Sequence, residues 1–165
     1  TSITHSSAVA GKTYTYKVKA IGSVSGTNSA VSAAKDRTCD LAAPALSVSK
    51  NSAGKPVISW TKVTGATKYT LYIYDAEGTL LKTSSTTGTS ITHSSAVAGT
   101  KYTYKVKALC NNSAATSAFS EAKDRTCNLA KPSLSLTKTS EGKVKLSWAK
   151  ITGADKYGGI SGAYR

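Results

Sequence analysis

Eight carboxylates, two histidines and three cysteines are the groups in this sequence best suited to move a proton, attack a carbon or hold a metal. The carboxylates are Asp36, Asp40, Asp75, Glu77, Glu121, Asp124, Glu141 and Asp155. General acid–base chemistry needs two of them within reach of one substrate. Only Asp75 and Glu77 stand close together, and they lie in an Asp-Ala-Glu-Gly run whose residue types serve a backbone turn. His5 and His93 occupy the same place in two copies of one repeat, so they do not readily share a metal. No Gly-rich phosphate loop, serine elbow or Cys/His ligand spacing is present. The sequence offers no catalytic residue, metal set or cofactor site, and no enzyme active site is expected in it.

Charge points elsewhere. The 165 residues carry 22 Lys and Arg against 8 Asp and Glu, a formal net charge of +14. All but Arg37, Arg125 and Arg165 of these cations are lysines. Nucleic-acid readers lean on Arg for bidentate contacts, and no nucleic-acid motif is present, so specific nucleic-acid binding is not expected. A basic face still attracts polyanions. The same lysines also keep exposed strands soluble and blunt their edges. A hydrophobic content of 39% suffices for small packed cores and argues against a disordered basic tail. No apolar run approaches the roughly 18 to 20 residues of a membrane span, so no membrane insertion is expected in this stretch. Thr1-Ser2-Ile3-Thr4 carries neither Met nor a signal-peptide pattern, as in a stretch cut from something larger.

The elements that position these groups come from a long repeat. Thr1-Ser2-Ile3-Thr4-His5-Ser6-Ser7-Ala8-Val9-Ala10-Gly11 returns unchanged from Thr89 to Gly99, an offset of 88 residues. The same offset carries Tyr14 to Ala20 onto Tyr102 to Ala108, Lys35 to Cys39 onto Lys123 to Cys127, Trp60 onto Trp148 and Tyr69 onto Tyr157. This period is the size of a whole small domain rather than of a solenoid unit. Proline in the linker before an edge strand places the boundary at 38–44 and again at 126–132. Three segments are expected: 1–39 as the end of one unit, 40–127 as a complete one, and 128–165 as the start of a third.

Within a unit the period is two. In residues 101–108, Tyr102, Tyr104, Val106 and Ala108 share one face, while Lys101, Thr103, Lys105 and Lys107 share the other. Residues 56–60 place Ile58 and Trp60 inward; residues 144–148 repeat the parity with Lys145 outward. Further strands are expected at 45–50, 69–74, 79–84, 90–93 and 118–126, with turns at 51–54, 75–78 and 110–113. Seven short strands in 88 residues predict an all-β, antiparallel β-sandwich. With Tyr69, Leu71 and Ile73 inward, Tyr72 and Tyr74 fall on the outer face beside Lys105 and Lys107. Rings beside ammonium groups could stack on sugars and attract anions, or simply pack on one another across strands.

Trp60 on the second strand, Gly65-Ala66-Thr67-Lys68-Tyr69 leading into the third, and Gly99 to Ala108 on the sixth resemble a fibronectin type III domain. The variety most resembled is the Lys, Ser and Thr-rich form repeated in large surface proteins of Gram-positive bacteria. The resemblance covers residues 1–157 and implies an Ig-like (fibronectin type III) sandwich in tandem repeats of 88 residues, with Trp60 and Tyr69 as core residues. Tyr102 takes the family's tyrosine-corner position, where its hydroxyl would bond backbone across the two sheets.

In such a sandwich Cys110 closes the sixth strand at the pole where the first strand begins, whereas Cys127 ends the seventh at the other pole. Cys110 with Cys127 is then too far apart for a disulfide, and Cys39 with Cys110 is the feasible pair, three free thiols being the alternative. A bridge would favour an extracytoplasmic setting. After Tyr157 the repeat gives way to Gly158-Gly159-Ile160-Ser161-Gly162-Ala163-Tyr164-Arg165, which reads as a frameshift or a fragment end.

Three functions are compatible with these readings. The first is a non-catalytic spacer of tandem modules in a secreted or cell-wall-attached bacterial protein, located outside the cell or on its surface, with neighbouring repeats as partners. The second is an adhesion module whose Tyr72, Tyr74, Lys105 and Lys107 face engages wall polymers, glycans or a host surface. The third is an accessory module of a polysaccharide-degrading enzyme.

Overall fold

The computed structural model describes residues 1–158. The aberrant tail, Gly158 excepted, therefore lies outside the described residues. Eleven strands follow in chain order: β1 (Thr13–Tyr16), β2 (Lys35–Thr38), β3 (Leu46–Lys50), β4 (Pro56–Trp60), β5 (Lys68–Tyr74), β6 (Leu80–Thr86), β7 (Ser90–Thr92), β8 (Lys101–Leu109), β9 (Lys123–Thr126), β10 (Leu134–Lys138) and β11 (Val144–Trp148). Alternating β-branched and aromatic residues, broken by Gly, Asn and Asp, leave extended backbone as the conformation that buries one face.

Strands β3 to β9 form an Ig-like, fibronectin type III-like antiparallel sandwich. One sheet has the order β3-β4-β7 and the other β6-β5-β8-β9, and every pairing is antiparallel. The expected parity holds in both sheets. Ile58, Leu71, Tyr104, Val106 and Ala108 are wholly buried, with Trp60, Tyr69 and Ile73 almost so. Each large apolar side chain so buried contributes about 1.5 to 3 kcal/mol, which is what offsets the ordering of seven strands. Trp60 packs at 5.5 Å from Tyr69, ring centre to ring centre, and its indole Nε1 is buried without an acceptor. It is packing, not a hydrogen bond, that holds the Trp60 ring.

The seventh strand differs from the expectation. Residues 118–126 read as one strand, but only Lys123–Thr126 pair as a ladder with β8. Upstream, Val106 N–H donates to Ser120 Oγ (3.0 Å) and Ser120 N–H to Val106 O (2.9 Å); Ala108 and Ser117 repeat the exchange at 2.8 and 3.0 Å. Serine hydroxyls thus replace backbone carbonyls, and three residues of chain span two of β8. Short hydroxyl side chains compete for backbone donors in this way. A bulge results, and it turns Phe119 outward.

The flanking strands pair only locally. β1 pairs with β2, and β10 with β11, each as a two-stranded sheet. The register of β10–β11, Leu134 against Trp148 and Leu136 against Leu146, repeats that of β3–β4, Leu46 against Trp60 and Val48 against Ile58.

Candidate functional site

Two arrangements stand out, one on the outer face of the larger sheet and one at the boundaries between repeats. On the outer face, Tyr72 lies opposite Lys105 across β5–β8, with Tyr74 and Lys107 one step along on either strand. The structure brings all four expected residues together and adds Phe119. Lys107 Nζ sits 4.5 Å from the Phe119 ring centre, Lys105 Nζ lies 5.6 Å from that of Tyr74 and 5.9 Å from that of Phe119, and the edge of Tyr72 meets Phe119 at 4.9 Å. The result is a shallow three-ring, two-cation patch. Such a patch can stack on a sugar ring and attract an anion, while its own cation–π contacts account for the residues without a ligand. The sequence reading missed Phe119 because its parity depends on the serine bulge. Its being the one Phe in the chain was the available signal.

At the boundaries, glycine allows close approach. Gly65 (φ 84°) and Gly153 (φ 86°), 88 residues apart, stand in the turns that follow β4 and β11. A Cβ placed on Gly65 would meet Ala10 Cβ at 3.1 Å and Leu41 Cδ2 at 3.4 Å; one on Gly153 would meet Ala98 Cβ at 3.3 Å and Leu129 Cδ2 at 3.5 Å. Ala98 and Leu129 are the repeat counterparts of Ala10 and Leu41. The same three-residue joint therefore occurs twice. At the opposite pole Gly54, at a φ of 75°, accepts Asn128 N–H at 3.1 Å, and a side chain there would strike the Asn128 carbonyl.

The first joint carries two further contacts. The loop after β8 reaches back so that Asn112 Nδ2 donates to Gly11 O (2.8 Å) and Cys110 Sγ covers Gly11, whose N–H donates to Cys39 O (2.8 Å). Cys39 and Cys110 thus flank the same glycine. All three cysteines are free thiols in the structure. Cys127 is buried at the other pole, its Sγ 3.7 Å from both Gly54 O and Ala96 O, a placement that keeps it apart from Cys110.

The remaining polar groups have structural partners. Tyr102 Oη accepts Val97 N–H (3.1 Å) in the β7–β8 connection, a bond within the chain leading to β8 rather than across the sheets. Tyr69 Oη accepts Val63 N–H (2.8 Å). Asp75 Oδ1 accepts Thr79 N–H (2.7 Å), closing the turn that holds Glu77. His93 Nδ1 lies 3.1 Å from Tyr104 Oη in the core. Burial, followed by the charges of Lys82 and Lys55, holds His93 below the usual histidine range, and burial chiefly raises the Tyr104 hydroxyl far above that of free tyrosine. Both groups are neutral near pH 7, and the tautomer of His93 sets which of Nδ1 and Tyr104 Oη donates.

No known family pattern matches the chain, and no curated protein matches it. Among solved structures it is similar to the chicken interferon gamma receptor alpha chain, with a TM-score of 0.55 at 13% identity, covering 72% of this chain and 67% of that one. It is also similar to the FN1-FN3 domains of chicken CNTN1, at a TM-score of 0.47 and 21% identity over 74% of this chain and 43% of that one. A third likeness is to the sixth fibronectin type III domain of human fibronectin type III domain containing protein 3, at 0.43 and 22% over 56% and 87%. The receptor likeness shows the sandwich fold.

Proposed function

We propose that the chain is a non-catalytic spacer segment of tandem fibronectin type III-like modules in a secreted or wall-attached bacterial surface protein, with 40–127 as its complete module. The observation that carries this reading is the recurrence of the Gly-Ala-Leu joint at both repeat boundaries. A fixed joint between equal modules adds length at a constant angle, which is what a spacer requires. No helix among the described residues is long and apolar enough to cross a membrane. Pairs of spin labels placed across each joint test the reading. One narrow distance distribution, the same at both joints and broadened by Leu41→Asp or Leu129→Asp, is expected; broad distributions in the unsubstituted chain would overturn it.

A second reading rests on the three-ring, two-cation patch. Wall polymers, acidic polysaccharides or host glycans are the partners whose chemistry it suits, and this reading also serves an accessory module beside a polysaccharide-degrading domain. A glycan and wall-polymer screen, run at low and high salt beside a Tyr72→Ala, Tyr74→Ala double variant, decides it. Binding that survives salt and is lost in the variant establishes the site. Weak adhesion that salt removes and the substitutions leave unchanged leaves the module as a spacer.

A further inference from the structure

The first two repeats share Tyr14 to Ala20 with Tyr102 to Ala108, and Lys35 to Cys39 with Lys123 to Cys127. Between these identical stretches they diverge: Gly22, Ser23, Val24 and Val31 of the first stand as Cys110, Asn111, Asn112 and Phe119 in the second. The serines that build the bulge do not change. Ser29 and Ser32 accept Ala20 and Val18 N–H, as Ser117 and Ser120 accept Ala108 and Val106 N–H. The bulge is thus a constant frame, and the residue just before its second serine, Val31 or Phe119, varies on it. Bulges serve to re-aim a side chain in this way.

In the complete module the variable residue stands over two lysines that both repeats carry. Lys107 Nζ and Lys105 Nζ lie 4.5 and 5.9 Å from the Phe119 ring centre. Among the described residues neither lysine has a carboxylate partner, whereas Lys101 pairs with Asp124 at 2.6 Å and Lys123 with Glu121 at 3.6 Å. Two ammonium groups without a counter-ion have an anion as their complement. Because the rings already hold them, they lose less freedom on binding than free lysines do.

The rings add a second requirement. Tyr72, Tyr74 and Phe119 offer apolar surface to the C–H face of a sugar, which a simple phosphate chain lacks. Hydroxyls flank them: Thr70, opposite Lys107, bonds Ser85 Oγ at 3.2 Å, and Thr83 lies opposite Tyr72. Four strands about 4.8 Å apart make this face roughly 14 Å wide, room for more than one sugar ring.

We propose, resting on the ligand-binding reading of this face, that it takes a uronic-acid polysaccharide, with ring carboxylates at Lys105 and Lys107 and a sugar face on the aromatic rings. Phe119 is the residue that makes the face choose such a polymer over a polyanion without rings. The carboxylate draws the ammonium off the ring, and the sugar's C–H face takes its place. With valine at 119 the lysines still attract any anion, but less ring surface remains for a sugar.

Oligogalacturonate, polyphosphate and neutral dextran, titrated into the full chain, test both parts. Oligogalacturonate is expected to shift the amides of Lys105 and Lys107 and to stay bound at high salt, where polyphosphate is released. Phe119→Val, which installs the first repeat's residue, should weaken oligogalacturonate about threefold or more and leave polyphosphate unweakened. Lys105→Met with Lys107→Met should weaken both. Unchanged exchange protection of the Val106 amide shows that each variant is folded. No loss of oligogalacturonate in Phe119→Val, or an equal loss of polyphosphate, would overturn the proposal. Dextran bound as tightly as oligogalacturonate and lost in the Tyr72→Ala, Tyr74→Ala double variant would also overturn it, while keeping the face as a neutral-sugar site. If no ligand responds to that double variant, the ligand-binding reading falls and the proposal with it.

Discussion

The β3–β4 and β10–β11 hairpins have the same register and almost the same local bonds, yet one lies in a core and the other in solvent. Their turns close alike, Asn51 N–H to Lys55 O at 3.0 Å and Thr139 N–H to Lys143 O at 2.8 Å. Their aromatic pairs match as well, Trp60 with Tyr69 at 5.5 Å and Trp148 with Tyr157 at 5.4 Å. Among the described residues, the nonlocal strands β5, β7 and β8 are what separate Trp60, 5% exposed, from Trp148, 43% exposed. Local sequence specifies the hairpin, and a second sheet makes it stable, since an isolated two-stranded ribbon is marginal in water.

The sharpest way to break this comparison is to truncate both tryptophans. Trp60→Ala should destabilise the sandwich by about 3 to 5 kcal/mol, read from the exchange of the buried Val106 and Ala108 amides. Trp148→Ala should leave those amides within about 0.5 kcal/mol of the parent at low protein concentration. Equal losses from the two substitutions would mean that both hairpins share one cooperative unit.

The serine bulge offers a second contrast. Val18 N–H donates to Ser32 Oγ and Ala20 N–H to Ser29 Oγ in the first repeat, at 3.0 and 2.9 Å, just as Ser120 and Ser117 accept in the sandwich. Ser120 is 4% exposed, whereas Val18, which bonds Ser32, is 71% exposed. Ser120→Ala would strand a buried donor and should cost about 1 to 3 kcal/mol by chemical denaturation. Water replaces the lost acceptor in Ser32→Ala, and no change in that midpoint is expected.

These serines mark where the sequence stopped being legible. Period-two alternation placed Tyr102, Tyr104, Val106 and Ala108 inward and Lys105 and Lys107 outward, because side-chain parity along a regular strand is a local property. The same rule extended the last strand back to 118 and so missed the outward turn of Phe119. Parity fails wherever a side chain takes over a backbone bond. Tyr72, Tyr74, Lys105 and Lys107 were found from sequence as a group, but the ring that joins them was not. The boundary joints were likewise hidden, since Gly65 reads as a turn glycine and nothing local says that Ala10 and Leu41 lie against it.

The two histidines give a gentler contrast, one that depends on pH. His5 Nδ1 lies 2.9 Å from the Tyr16 hydroxyl in solvent, and His93 makes the equivalent contact in the core. An unfolded histidine titrates near 6.5, and His93 in the sandwich titrates below that. Above about pH 6.5 the imidazole is neutral in both states and the His93 contribution is complete. As pH falls through that value the unfolded chain takes up its proton first, and stability declines until the folded imidazole is protonated too. Denaturation midpoints measured between pH 7.5 and 5 should show this decline in the parent and in His5→Gln, and His93→Gln should flatten it. A slope that persists in His93→Gln would assign the titration to another group.

The smallest effect separates the outer faces of two repeats. Lys107 and Phe119 occupy the places that Lys19 and Val31 hold in the first repeat, so only the sandwich has a ring beneath its lysine. A double-mutant cycle with Lys107→Met and Phe119→Val should return a coupling of about 0.5 to 1 kcal/mol, as befits an exposed cation–π pair. That coupling must be given up in part by any ligand that draws the ammonium off the ring. Phe119→Val should therefore raise the affinity of a simple polyanion slightly, by freeing Lys107, while lowering that of a sugar that stacks. Opposite shifts for the two ligand types would show that the ring and the cation do separate work on this face. Parallel losses would make them one recognition unit.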